Sequence, residues 1–446
     1  MSNYLEWSQA WTNRLAGMGP ADLSSRLPAI IGRLKQQMAA GELPFLTMPY
    51  RDRLEKQLPP LLAKIKKFRH MLVLGIGGSA LGARAMQRAF APGQDGPNYH
   101  GPWLWIADNV DAIQFEGLLG KLDPKETVVV AISKSGGTIE TISQYFLVRS
   151  WLQKELGDAW ASQMVVVTDA KNGFLRQEAE EKALGSLEVP DYLGGRYSAL
   201  SAVGLLPAAF LGIDWQALLD GAAEVARPIV ERPEDIANTQ AWQLACWARL
   251  LEENSYDELI FFCYIPQWAT YGPWFAQLWA ESLGKDGKGS MPIPATGVTD
   301  QHSVNQMFLD GPRNKGCIFV TGEQQETDRK FGMDLPDKWA WLRGKAFGTL
   351  LDAEALGTRM ALCKNHVPLV NMHMGSLSER AAGSMMMLLE AATIFTGWLM
   401  GINPVDQPAV ELGKRLANSR LGAAGYAEEA KDLAAFLAAP QDRKPF

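Results

Sequence analysis

Four times in its first half the chain repeats one unit, a short apolar run followed by a loop and a stretch of helix length. The runs are His70 to Ile76 (HMLVLGI), Trp103 to Ala107, Thr127 to Ile132 (TVVVAI) and Met164 to Thr168 (MVVVT). A strand that is apolar at nearly every position has no face to give to water, so both its faces must be covered. Helices placed between such strands supply that cover and make the sheet parallel. From about Glu258 a second series begins with ELIFFCYIP and a helix-like stretch ending in WFAQLWAES. It continues through GCIFVTG and a helix from Leu350 to Cys363 to VPLVNMHM. The pattern predicts an α/β protein of two tandem α-β-α sandwich units with mainly parallel sheets. Leu27, Ile30, Ile31, Leu34 and Met38 fall at helical spacing ahead of Gly41 and Pro44, which adds N-terminal helices. The expected division is an N-terminal helical segment over 1–55, a first domain over 56–213, a helical connection over 214–251, a second domain over 252–415 and a helical C-terminal tail over 416–446.

At 446 residues, 47% hydrophobic and 21% charged, the chain can bury large cores, which excludes a disordered or disulfide-stapled protein. Its 43 basic and 49 acidic residues leave a net charge of -6 without a long basic run, so nucleic acid is not the expected partner and a small molecule is. The four cysteines, Cys246, Cys263, Cys317 and Cys363, are far apart in apolar runs and show no zinc-ligand spacing. They read as buried thiols in a reducing compartment. No basic, then apolar, leader opens the sequence, and a cytoplasmic protein is expected. Ala381 to Ile402 is long enough to span a bilayer, but it carries Glu390 near its middle. A carboxylate there costs roughly 2.5 to 3.5 kcal/mol on insertion scales. A helix buried inside a soluble core is the better reading, and no membrane partner is expected.

Two loops carry candidate chemistry. Gly75-Ile76-Gly77-Gly78-Ser79-Ala80-Leu81-Gly82 lies between strand and helix, where glycines let backbone N–H groups approach an anion and the helix N-terminus favours it. The same glycines satisfy the G-x-G-x-x-A form of the dinucleotide fingerprint, and Asp108 follows the next strand, so an NAD-dependent oxidoreductase competes. After TVVVAI comes Ser133-Lys134-Ser135-Gly136-Gly137-Thr138, which gathers three hydroxyls, a lysine and two glycines at a helix start. A terminal phosphate needs several short donors of this kind. A cap needs one hydroxyl, and a dehydrogenase has no obvious use for a second nest.

GIGGSALG, SKSGGTIET, Gly194-Gly195-Arg196-Tyr197-Ser198, Glu281-Ser282-Leu283-Gly284-Lys285, Gln301-His302-Ser303 and Asp406-Gln407-Pro408-Ala409-Val410-Glu411-Leu412-Gly413-Lys414 resemble, in order and spacing, the glucose-6-phosphate isomerase family. The resemblance covers about Leu72 to Leu416. It implies two sugar-isomerase (SIS) domains and reversible conversion of glucose 6-phosphate to fructose 6-phosphate, with neither metal nor redox cofactor. An aldose–ketose change must open the ring, move a proton between C2 and C1 and stabilise an enediolate, which calls for a movable carboxylate, an acid/base pair and a cation.

The resemblance makes Glu281 the proton-transferring base and sets Arg196 beside the developing oxyanion. It assigns His302 and Lys414 to ring opening. Gly78, Ser79, Ser133, Lys134, Ser135 and Thr138 match positions around the sugar phosphate, and Gln407 matches a polar contact near Lys414. It also implies a homodimer in which His302 reaches the partner's site. Gly136 and Gly137 stand where many members have Phe or Thr, which shifts the phosphate loop toward backbone donors, and Leu283 replaces a frequent Asn. A phosphosugar sensor without turnover is a further alternative, although it has no need for Glu281, His302 and Lys414 together.

Overall fold

The computed structural model describes residues 2–50, 54–323 and 329–440, together with Asp442 and Lys444. The chain begins with a strand, β1 (Tyr4–Gln9), which the helical reading of residues 1–55 does not contain. Its partner is the far end of the chain, with Tyr4 opposite His373 and Leu5 opposite Met372 in antiparallel register. A strand fixed by so distant a neighbour leaves little local periodicity to read. The expected helix follows at Leu27–Ala39, with Ile30 and Leu34 buried on one face.

Strands β2 (His70–Leu74), β3 (Trp103–Ala107), β4 (Thr127–Ser133), β5 (Met164–Asp169) and β6 (Gly185–Val189) form the first sheet in the order β3-β2-β4-β5-β6, every pair parallel. The all-apolar runs behave as their composition requires. Met71 and Val73 of β2 enter one core while Leu72 and Leu74 enter another, and Val128 and Val130 of β4 are set apart from Val129 and Ala131 in the same way. The second sheet contains β7 (Glu258–Cys263), β8 (Met291–Thr296), β9 (Lys315–Gly322) and β10 (Leu369–Met374) in the order β1-β10-β9-β7-β8, parallel except for β1. β8, MPIPAT, holds an edge position, where prolines cost no ladder bond on the open side.

One core lies between the two sheets and is shared by both. The helices Trp215–Glu231, Gln240–Glu253, Tyr271–Leu283 and Glu379–Leu399 fill it, so the connecting helices pack into the interior of the molecule. The Glu379–Leu399 helix and the Trp215–Glu231 helix meet backbone to backbone. A Cβ on Gly383 would lie 1.9 Å from the Leu218 carbonyl oxygen, and one on Gly221 would lie 1.8 Å from that of Arg380. The membrane-length apolar stretch is therefore an interior helix, buried along most of its length. Glu390 sits on it with no exposed surface and no hydrogen-bond partner among the described residues, and burial pushes its carboxyl well above its ordinary range.

The C-terminal end is helical, as expected, with Glu411–Arg420 and Ala427–Ala438 forming a hairpin. Arg415 pairs with Glu429, and Asn418 donates to the Tyr426 hydroxyl at 3.3 Å. No residue of Glu411–Arg420 is buried.

Candidate active site

The first loop leaves β2 at its carboxyl end, turns through Gly77–Ser79 and enters the helix Leu81–Phe90. Gly78 is pressed against the GGRYS segment, where a Cβ would stand 2.2 Å from the Gly195 carbonyl oxygen. Glycine is required there because two backbones touch. Gly77 faces the helix Tyr271–Leu283, and its missing Cβ would stand 2.8 Å from Gln277 Nε2. A single loop thus joins the first sheet to the arginine segment and to the glutamate helix.

β4 is the neighbour of β2 in the sheet, so the second loop emerges beside the first. Ser133 and Thr138 share a hydrogen bond of 2.9 Å, Ser135 lies 3.4 Å from Ser133, and the Gly137 N–H donates to Ser135 Oγ at 3.3 Å. Thr138 occupies the N-cap position of Ile139–Leu156 without bonding its helix, so its hydroxyl stays with the loop. Burial lowers the pKa of the Lys134 ammonium, an effect opposed by the carboxylates of Asp191 and Asp169. These are the groups a phosphate dianion requires, short donors and one cation at a helix start.

Arg196 is fully buried and every arm of its guanidinium is occupied. Nε donates to Ser282 Oγ at 2.7 Å, and Nη1 donates to Gln407 Oε1 at 2.7 Å and to Glu281 Oε2 at 3.5 Å. Nη2 donates to the carbonyls of Pro404 and Asp406 at 2.6 and 3.0 Å. Five donors and five acceptors saturate the fork. The longest of these bonds is the one to Glu281. Arg196 therefore gathers the first sheet, the Glu281 helix and the segment after Glu379–Leu399 at one point.

Sequence reading missed three contributors. Gln277 lies one turn before Glu281 and donates to its Oε1 at 3.0 Å. Ser282 receives Arg196 and shares a 2.9 Å hydrogen bond with Tyr197. Lys285 Nζ donates to the carbonyls of Ser282 and Asn403 at 2.8 and 2.6 Å. The four-residue spacing to Glu281 was the available signal for Gln277. The other two lay inside a quoted motif with no role attached.

His302 and Lys414 are not joined to this cluster within the chain. His302 is exposed in the turn Thr299–His302 after β8. Lys414, 52% exposed, bonds Glu411 at 2.7 Å. Neither has a hydrogen bond or ion pair with Glu281 or Arg196 among the described residues. No group of three His, Cys, Asp or Glu suited to a metal stands among those residues either. Asp108, the acid the dinucleotide reading requires, is bonded to Arg84 at 2.8 Å and is thereby engaged.

The phosphoglucose isomerase family model matches residues 63–432. The glucose-6-phosphate isomerase of Rubrobacter xylanophilus is 38% identical over 92% of this chain and 96% of its own. The crystal structure of a hypothetical protein from Thermus thermophilus superposes with a TM-score of 0.82 at 32% identity, covering 94% of this chain and 99% of that one. A glucose-6-phosphate isomerase from Chlamydia trachomatis shares the fold at a TM-score of 0.72 and 24% identity, over 86% of this chain and 76% of that one. With its two sheets, its two adjacent glycine- and serine-bearing loops and the arginine web beside them, the chain belongs to the phosphoglucose isomerase family.

Proposed function

We propose that the protein interconverts glucose 6-phosphate and fructose 6-phosphate, the step shared by glycolysis and gluconeogenesis, by proton transfer through a cis-enediolate. The observation that carries this reading is the Arg196 web, in which the Glu281 carboxylate lies beside a buried cation and is held by Gln277, the residue that faces Gly77 of the first loop. The sugar phosphate occupies the donors of Gly78, Ser79, Ser133, Lys134, Ser135 and Thr138. Glu281 removes the C2 proton and returns it to C1, with Gln277 holding one carboxylate oxygen and leaving the other to act. As charge builds on the enediolate oxygen it takes the Arg196 Nη1 donor from Glu281, while Gln407 keeps the fork in place. Freed of that bond, Glu281 is a stronger base when it is needed.

Ring opening falls to His302 and Lys414. Because His302 is exposed and away from the web, the reading takes it from a second copy of the chain in a two-fold dimer. The compartment that fits this chemistry and the cysteine usage is the cytoplasm. Incubating the purified protein with fructose 6-phosphate, without added metal or nucleotide, tests the assignment. Glucose 6-phosphate should accumulate to equilibrium, and its absence overturns the reading.

A further inference from the structure

Two buried hydroxyls, those of Ser282 and Tyr197, lie against Arg196, and their protons can be assigned from the partners alone. A guanidinium has donors and no acceptor, so Ser282 Oγ receives the Arg196 Nε proton at 2.7 Å. The Ser282 proton then needs an acceptor of its own. The Tyr197 hydroxyl at 2.9 Å is the only other partner of Ser282 Oγ among the described residues. Tyr197 in turn donates to the Pro404 carbonyl at 3.4 Å. The opposite assignment, with Tyr197 donating to Ser282, leaves the Ser282 proton buried without an acceptor, the costly arrangement in an interior. The Pro404 oxygen also receives Arg196 Nη2 at 2.6 Å, which uses both its lone pairs. A ring is thereby closed, from Nε through Ser282, Tyr197 and the Pro404 carbonyl back to Nη2. Burial pushes the Tyr197 phenol up to about 12, so its proton stays in place wherever a carboxylate base works. The ring holds the Nε–Nη2 edge and leaves out Nη1, the arm that bonds Glu281 and Gln407. Because the fork is planar, fixing one edge fixes the direction of the third arm.

We propose that Ser282 and Tyr197 are positioning residues of the isomerisation, a hydroxyl ring that aims Arg196 Nη1 at the Glu281 carboxylate and at the oxygen on which enediolate charge develops. The proposal rests on the isomerase reading and adds to it what keeps the cation in line. Tyr197→Phe removes one oxygen and keeps the aromatic ring, whose centre lies 4.9 Å from that of Phe45 and 5.3 Å from the guanidinium carbon. With fructose 6-phosphate as substrate, kcat should fall about tenfold while KM stays within about twofold of native. Ser282→Ala also deprives Nε of its acceptor and should cost about 10- to 100-fold in kcat. The two substitutions combined should be no slower than Ser282→Ala alone, to within about twofold, because both break the same ring. Inhibition by inorganic phosphate, which reads the two glycine-bearing loops, should be unchanged in all three variants. The proposal is overturned if Tyr197→Phe turns over at the native rate or if the two losses multiply. It is equally overturned if phosphate inhibition weakens in parallel with kcat, because the ring would then support the whole site and not the aim of one arm. Failure of the unchanged protein to isomerise fructose 6-phosphate is a separate result, which removes the isomerase reading and the positioning role with it.

Discussion

Arg196 has no exposed surface and a hydrogen bond on every N–H, whereas Lys414 stands 52% exposed on a helix without a buried residue, bonded to Glu411 one turn away. Both are cations assigned to the same reaction. One half of the proposed site is therefore built before substrate arrives, by groups from three parts of the chain that hold one another in place. The other half of the proposal, His302 with Lys414, is presented to solvent and is not joined to that web within the chain. Preorganised groups stabilise charge without reorganising at the moment of reaction. Ring opening tolerates a looser arrangement, since it needs only an acid and a base within reach of the ring oxygen and the C1 hydroxyl.

The strongest test of the prebuilt half is Glu281→Gln. The amide keeps the bond to Gln277 and the shape of the site but cannot take a proton, so kcat should fall about 10²- to 10⁴-fold with little change in KM. Hydrogen exchange at C2 continuing at the native rate would remove Glu281 from its role. Exchanging the two kinds of cation sharpens the contrast further. Arg196→Lys loses the planar fork and strands several buried acceptors, which should lower kcat about 10²-fold and cost about 1 to 3 kcal/mol for each acceptor left bare. Lys414→Arg should leave the urea midpoint unchanged. Equal destabilisation by both substitutions would break the comparison.

A smaller effect is expected in the phosphate loop. Ser135→Ala with Thr138→Ala should weaken inhibition by inorganic phosphate and binding of the sugar phosphate together, about tenfold, since each hydroxyl contributes roughly 0.5 to 1.5 kcal/mol. Competition constants for the two ligands measure this, and unchanged phosphate inhibition would move the anion site elsewhere.

The smallest effect concerns a second fully buried ionisable residue, Glu390. Arg196 is satisfied and Glu390 is not. The Glu390 carboxyl is held well above 4.5 in the folded protein, so as pH rises the unfolded chain gives up this proton first. Between 4.5 and the raised folded value the native state holds the extra proton, and stability falls as pH rises. Glu390→Gln removes that slope. Its melting temperature should gain on the unchanged protein between about pH 4 and pH 8. A constant difference across that range would mean that Glu390 has a partner.

Much of this was legible in the sequence because the physics was local. Runs such as TVVVAI read as strands with two covered faces, and SKSGGT reads as a loop that gathers hydroxyls at a helix start, without reference to the rest of the chain. β1 was not legible, since its structure rests on pairing with β10 across nearly the whole chain. The saturation of Arg196 was hidden for the same reason, because its acceptors lie at Ser282, Pro404, Asp406 and Gln407. Gln277 is the instructive miss. It stands at helical spacing from a glutamate already singled out, but a donor matters only when the carboxylate it holds is known to face a loop.

On this reading the exposed half of the site is completed by a second copy of the chain, and complementation between two inactive variants measures that. Glu281→Gln and His302→Ala chains, each inactive alone, are unfolded together and refolded as a mixture, so that about half the dimers are mixed. In a mixed dimer one site inherits both defects and the other pairs an intact Glu281 with an intact His302. Recovery of roughly a quarter of native activity is expected if pairing is random and the sites are independent. Activity no higher than that of the separate variants, with mixed dimers confirmed by native mass spectrometry, would contradict a site shared between two chains.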